Sequence, residues 1–323
     1  MAFDSIGEAD KRLMRRGTLV LGFLLLFVFA FSRLELLYGQ KFFDVTGRAQ
    51  WIWPQHRMAA EEAVAFYAAH DFDLPPQRLF TRIKILGDPE YTLYFNGTEV
   101  GGRRVGEDAS ALDVYDVSKL ARNGKNRMVV AVRSANGVGG LIAAVDIAPD
   151  FLNYIVTGRD WTMFRSWRPD IIERNDGPPS APMLLGRPPA RRWNYLTRQP
   201  GRALPPARAI APPHEVFPFS TALAEIQVRD GVAVSVPRPI RAIAYDFGIG
   251  AHGRLRLTRA PSTSPASVTR VRFATERSEL FDVEGATVPF VFANEETSVT
   301  DPTERVFRYA VVYGSAATAD VVQ

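Results

Sequence analysis

The chain has 323 residues, 46% of them hydrophobic and 23% charged, with a net charge of +4 and no cysteine. That composition excludes wholesale disorder. The missing thiol excludes a disulfide scaffold, a thiolate metal site, a cysteine nucleophile and a thioether-linked haem. The four histidines, His56, His70, His214 and His252, share no metal-ligand spacing, and the small basic surplus calls for no nucleic acid.

The first element is apolar. Gly17 to Ser32 carries no charge, and the pattern resumes after Arg33 and Glu35 as far as Tyr38. A helix over 17–38 would measure ~33 Å, enough to cross a bilayer. Lys11, Arg12, Arg15 and Arg16 precede it and predict residues 1–16 in the cytoplasm and the bulk outside, in a bacterium the periplasm. A cleaved signal peptide is the alternative, although no small-x-small cleavage site follows. The expected architecture is therefore mostly β: one N-terminal transmembrane helix of the bacterial inner membrane, then jelly-roll β-sandwich units.

From residue 41 to 157 the pattern changes to short strands and turns. Gln50-Trp-Ile-Trp-Pro54 opens the unit, and Ala63 to Ala68 suits either strand or helix. Residues 78–86 alternate like a half-buried strand. Tyr91 to Phe95 runs into Asn96-Gly97, a strong hairpin signal because both turn residues tolerate positive φ. Arg127 to Arg133 (RMVVAVR) has valines on both faces and reads as a central strand, and Leu141 to Ile147 closes the set.

These pieces carry a resemblance. The order W-I-W-P, then Gly87-Asp-Pro-Glu-Tyr-Thr-Leu-Tyr-Phe-Asn-Gly97, then Tyr115-Asp-Val-Ser-Lys-Leu120 and Asn123-Gly-Lys-Asn126 resembles the galactose-binding-domain-like jelly roll. It is most similar to the sandwich accessory to bacterial α-L-rhamnosidases. Later, Tyr245-Asp-Phe-Gly248 with Gly253-Arg-Leu-Arg-Leu257, and Phe307-Arg-Tyr309, resemble the second jelly roll of that class, here abbreviated to residues 239–323. The resemblance implies an accessory domain without the large helical catalytic barrel, hence no enzyme, and a membrane-tethered carbohydrate-binding module as one function. Trp51, Trp53, Tyr94 and Asn96 are the sugar-binding candidates it offers, with core packing the competing role for the two tryptophans.

Residues 158–238 differ again. Between 158 and 208 stand ten arginines, four acids, nine prolines and three of the five tryptophans. Proline removes ladder donors, so this stretch reads as an extended arm rather than regular sheet. Tryptophan and arginine are the residues of interface hot spots, which makes Trp161, Trp167, Trp193, Arg165, Arg191 and Arg192 the partner-binding candidates; packing in cis is the alternative. The reading that unites arm and span is a non-catalytic structural subunit that grips other subunits of a membrane complex. Reaction-centre–antenna, respiratory and secretion assemblies all recruit single-span subunits.

No catalytic constellation emerges. The carboxylate pairs Glu61-Glu62, Asp71/Asp73 and Glu295-Glu296 read as solvated faces or turns. Asp88 and Asp108 occupy turns where such domains can hold a structural calcium, but neither has a clustered partner. No cofactor or metal is expected.

Overall fold

The computed structural model describes residues 17–33, 45–55, 62–106, 109–149, 151–190, 192–193, 196–204, 210–229, 232–282, 284–314 and 317–323. The expected tail 1–16, residues 34–38 of the expected span, Arg191 and Asp108 lie outside them.

Residues 17–33 are helical, and their apolar side chains are exposed on every side, Leu19, Phe23 and Phe27 among them. Among the described residues no helix is long and apolar enough to cross a membrane. The expected spanning helix over 17–38 is thus not shown, and its residues 34–38 lie outside the described residues.

The first sandwich is built from β1 (Trp51–Trp53), β2 (Val64–Leu74), β3 (Thr81–Asp88), β4 (Glu90–Phe95), β5 (Thr98–Arg104), β6 (Ala111–Asp116), β7 (Gly124–Ser134), β8 (Gly140–Ile147) and β9 (Phe151–Val156). The arm adds β10 (Thr162–Phe164), β11 (Met183–Gly186) and β12 (Thr197–Pro200). One sheet runs β11-β1-β8-β3-β6-β12 with β9 beside β8; the facing sheet runs β10-β2-β7-β4-β5. Between them Ile83, Ile85, Leu93, Val130, Val132, Ala143 and Val145 form the core. The 63–68 segment is strand, not helix, because it pairs with β7 in an unbroken ladder from Val64 to Leu74.

The residues that alternate outward are buried as well. Val129 and Ala131 of β7 face a second core that includes Val291 and Ala293 from far along the chain. Ile142 of β8 faces a third, covered by Trp51, Trp193 and Leu196. Valines on both faces of β7 thus follow from burial on both faces. The chain is layered, with the arm over one sheet and the second β unit, together with Phe164 and Ile171 of the arm, over the other.

That second unit comprises β13 (Ile210–Ala211), β14 (Glu215–Arg229), β15 (Val232–Thr258), β16 (Ala266–Ala274), β17 (Val288–Ala293), β18 (Ser298–Thr300), β19 (Arg305–Tyr313) and β20 (Thr318–Val322). The two strands expected around 242–248 and 253–258 are one strand, β15, bent where its pairing with β19 shifts register between Asp246 and Ala251. Gly248 and Gly250 take φ of +84° and +73° there, a region that L side chains rarely enter. The bend lets a single strand serve both layers: its first half pairs with β14 and β19, its second with β18 and β20. Tyr245, Leu255, Leu257, Phe290, Phe307 and Val321 fill the space between. Asp246 holds the corner, accepting hydrogen bonds from Arg308 Nη2 at 2.9 Å and Gly248 N at 2.8 Å. Hydrogen bonding from Arg308 keeps its carboxyl below the usual range.

The two units are joined by a buried ion pair. Arg133 Nη1 and Nη2 donate to Glu296 Oε2 and Oε1, each at 2.7 Å, and Nη1 also donates to Val291 O at 2.7 Å. Tyr67 OH donates to Oε1 at 2.5 Å and Ala293 N to Oε2 at 2.8 Å. Burial, reinforced by Glu296, pushes the Tyr67 phenol well above its ordinary value. Glu296 is therefore no solvated turn residue, as its sequence context suggested; it is 3% exposed. Breaking such a pair from one side leaves an uncompensated buried charge, at a cost of ~3–5 kcal/mol, whereas replacing both partners with apolar residues is often near neutral. Urea unfolding should show Glu296→Gln losing stability on that scale, and the double variant Arg133→Met/Glu296→Met recovering most of it.

Candidate functional site

The tryptophans expected to face a ligand or a partner mostly face inward. Trp51 and Trp53 are 0% and 1% exposed. Trp53 meets Phe66 edge-on at 5.1 Å, and Trp51 stacks on Trp193 at 4.1 Å with an interplanar angle of 15°. Neither can stack on a sugar from this position. Trp193 and Trp161 are each 2% exposed. Trp193 Nε1 donates to Asp88 Oδ2 at 2.8 Å, and Trp161 Nε1 donates to Val156 O at 3.0 Å. Trp161 also stacks on His70 at 5.4 Å. Trp167 is half-buried against Tyr67, 5.1 Å between centroids.

The arginines of the arm behave alike. Arg192 pairs with the buried Asp88 through Nε at 2.7 Å, and Arg165 Nη1 approaches Gln55 O at 3.4 Å. Asp88 therefore serves as an internal acceptor. Among the described residues no group of three His, Asp or Glu could hold a metal ion. The arm packs in cis, and it contributes regular strands despite its prolines. Thr162–Phe164 joins β2, Met183–Gly186 joins β1, and Thr197–Pro200 lies parallel to β6. All three joins fall on sheet edges, where a residue without an N–H is tolerated.

What remains open is a cleft of about 590 Å³ at the loop end of the first sandwich. Four segments converge there: the end of β2 at 71–73, the β4–β5 turn, the loop before β7, and the 3₁₀ turn Pro169–Ile172 with Glu173. Its floor is rigid. Asn96 and Gly97 take φ of +50° and +83°, the paired left-handed conformation of a tight hairpin turn. Asn96 Nδ2 donates to Leu120 O at 2.9 Å and Asn126 Oδ1 at 2.8 Å, while its Oδ1 accepts from Arg127 N at 2.9 Å. Asn126 closes its own loop, donating to Arg122 O and Gly124 O. Arg127 reaches both oxygens of Asp71 at 2.8 Å and donates to Ile171 O and Asn175 Oδ1, each at 3.0 Å.

The sugar-binding candidate Asn96 lines this cleft, but its amide is committed to the turn. Tyr94 is half-buried among the residues under the second unit, and burial raises its phenol. Of the groups with spare hydrogen-bonding capacity, the sequence marks only Asp73 as a chemical candidate, and that as one of a solvated carboxylate pair. Asp73, Glu173, Arg122 and Lys125 are exposed at the rim, and among the described residues no partner occupies their charged ends. Asp73 shares a strand face with Asp71, and Lys125 sits in the Gly124-Lys-Asn126 turn, so two of these positions carry some local signal. Glu173 carries none, because it reaches the cleft only through the fold of the arm. The rim combines acceptors and donors around the half-buried Ile172. Such a set suits a polyhydroxylated ligand, since a carboxylate can accept from two neighbouring hydroxyls while the cations donate to others.

A second cleft, about 440 Å³, lies between the two units. Its arginines 104, 133 and 192 are turned to Glu90, Glu296 and Asp88. Burial raises the Glu90 carboxyl.

No protein-family profile and no curated protein sequence matches the chain. Solved structures do. An α-L-rhamnosidase from Dictyoglumus thermophilum is 18% identical, with a TM-score of 0.50 over 85% of this chain and 35% of its own. That from Aspergillus terreus is 14% identical, with a TM-score of 0.50 over 85% and 36%. The family GH78 rhamnosidase of Bacillus sp. GL1 is 13% identical, with a TM-score of 0.52 over 84% and 54%. The fold resembles part of the GH78 rhamnosidases. The resemblance read from the sequence motifs thus stands at the level of fold. The chain spans between about a third and a half of the length of those enzymes.

The interior placement of Trp193 has a measurable consequence. Truncating a buried aromatic typically costs ~3–5 kcal/mol, and Trp193→Ala would also strip the Trp51 stack and one donor from Asp88. Thermal melting should fall markedly for Trp193→Ala and Trp161→Ala, and least for the half-buried Trp167→Ala.

Proposed function

We propose that this protein is a non-catalytic β-sandwich module that binds carbohydrate in the loop-end cleft of its first sandwich. The observation that carries the reading is the cleft itself: a rigid, hydrogen-bonded floor ringed by the unpaired charged groups of Asp73, Glu173, Arg122 and Lys125. The shared fold with part of the rhamnosidases supports it, as does the partial coverage, which leaves between about half and two thirds of each enzyme chain without a counterpart here. Losing a hydrogen bond to a charged group costs ~1.5–3 kcal/mol, or about 10- to 100-fold in affinity. Calorimetric titration with a panel of neutral and acidic oligosaccharides, rhamnose-terminated ones included, should therefore find a ligand whose binding weakens by that factor in Asp73→Asn and in Glu173→Gln. Absence of binding across the panel, or binding indifferent to both changes, would refute the assignment.

A second reading rests on a different observation. The helix over 17–33 is apolar on every face and exposed along its whole described length. A helix without a polar face is stable only in an apolar surrounding. We propose that it attaches the chain to a membrane, with the β units on the periplasmic side of a bacterial inner membrane, as an accessory subunit of a membrane assembly. Removal of residues 1–40 should move the protein from the membrane pellet to the soluble fraction; continued sedimentation with membranes would count against the helix as the attachment.

A further inference from the structure

The strands β14 and β15 outrun the sheet they belong to. They pair with each other without a break from Glu215↔Asp246 to Arg229↔Val232. The neighbouring strand β19 supports β15 only from Ala242 onward. From Thr221↔Ile240 to the tip the two strands pair only with one another among the described residues. This is a ribbon ~30 Å long, and a lone two-stranded ribbon is marginal in water.

Its two edges are unlike. In an antiparallel ladder, each residue directs its N–H and C=O to one side, and the side alternates along the strand. Gly314 N donates to Arg241 O at 3.2 Å, so the odd residues of β15 point away from β14. Pro237 and Pro239 fall on those outward positions and close that edge, as natural edge strands commonly do. By the same register the even residues of β14 point away from β15. Beyond Pro218 these are Ser220, Ala222, Ala224, Ile226 and Val228. They form an open row of donors and acceptors without a proline or a charge.

We propose that this open edge of β14 takes up an extended strand from a different protein by β-augmentation. The partner strand is proline-free over at least five residues and carries a lysine or arginine opposite Glu225. A second copy of the chain fits poorly. Centred on Ala224, a two-fold pairing uses all five outward residues but sets Glu225 opposite Leu223 of the copy. Centred one residue nearer the tip, it sets Glu225 against the copy's Glu225, and like charges directly opposite are destabilising. Centred one residue nearer the base, it brings Pro218 into the ladder. Only a pairing centred on Gln227 sets Glu225 opposite a cation, Arg229 of the copy, and that register runs past the tip and leaves Ser220 and Ala222 outside the ladder; within the ribbon Arg238 stands 3.6 Å from Glu225 with both side chains largely exposed. The proposal is independent of whether the cleft binds sugar.

Amide exchange tests it on the full chain, in native membranes and again after purification in detergent. The amides of Ser220, Ala222 and Ala224 should exchange about tenfold or more slowly in membranes, whereas Thr221 and Leu223, bonded within the ribbon, should be protected in both states. The pair Ala222→Pro/Ala224→Pro removes outward donors and no internal hydrogen bond. It should leave the melting of the purified chain unchanged and release the protein from its assembly. Ser235→Pro, on the edge already closed, should do neither. Equal exchange of the outward amides in both states, an assembly mass of two copies of this chain alone, or undisturbed assembly of the Ala222→Pro/Ala224→Pro protein would overturn it.

Discussion

The structure depends on one buried pair. Arg133 comes from the centre of the first sandwich and Glu296 from the turn after β17, and they meet largely shielded from solvent. Two charges in that position are tolerable only because every strong acceptor and donor is used: the carboxylate by Arg133, Tyr67 and the Ala293 amide, the guanidinium by Glu296, Tyr67 and the Val291 carbonyl. A hydrophobic contact tolerates sliding. This arrangement does not, since a displacement of an ångström or two would strand a charge. The pair therefore fixes how the second β unit lies on the sheet that holds β7.

Burial of both faces of both sheets follows from that layering. The second unit and part of the arm cover one sheet and the rest of the arm covers the other, so the central strands carry apolar residues without alternation. The arm needs its tryptophans for the same reason. A proline-rich segment cannot gain much from ladder hydrogen bonds, and large aromatic surfaces supply the burial that holds it. Trp193 on Trp51 and Trp161 on His70 are those contacts. Its 3₁₀ turn then completes the loop-end cleft, with Arg127 tying that turn to β2.

Three features stay unsatisfied once the cores are closed: the charged rim of the cleft, the apolar helix over 17–33 and the open edge of β14. Each can be met by a partner, for a separate physical reason. Rim charges keep hydrogen-bonding capacity unused within the chain, the helix presents hydrocarbon to water, and the ribbon edge offers unpaired amides. A module that holds a sugar at one end while its helix and ribbon engage a membrane assembly would satisfy all three.

The sequence by itself determined the local geometry. Alternation and turn chemistry marked the strands from 78 to 147, and Asn96-Gly97 marked a hairpin because few residue pairs accept two positive φ values in succession. The D-F-G motif at Asp246–Gly248 and the Y-x-L-Y-F-N-G run carried the fold resemblance. Which residues would meet across the chain was decided only by the tertiary structure. Arg133 and Glu296 are 163 residues apart, and nothing near Glu295-Glu296 distinguishes a buried ligand of arginine from a solvated turn. The tryptophans of the arm show the same limit. A Trp-Arg-Pro segment has the composition of an interface whether that interface is with a partner or with its own sheets, because the hydrophobic effect has no direction and rewards the burial equally. Period-2 patterning states that one face of a strand is covered; the identity of the cover is a long-range choice, and only the folded chain makes it.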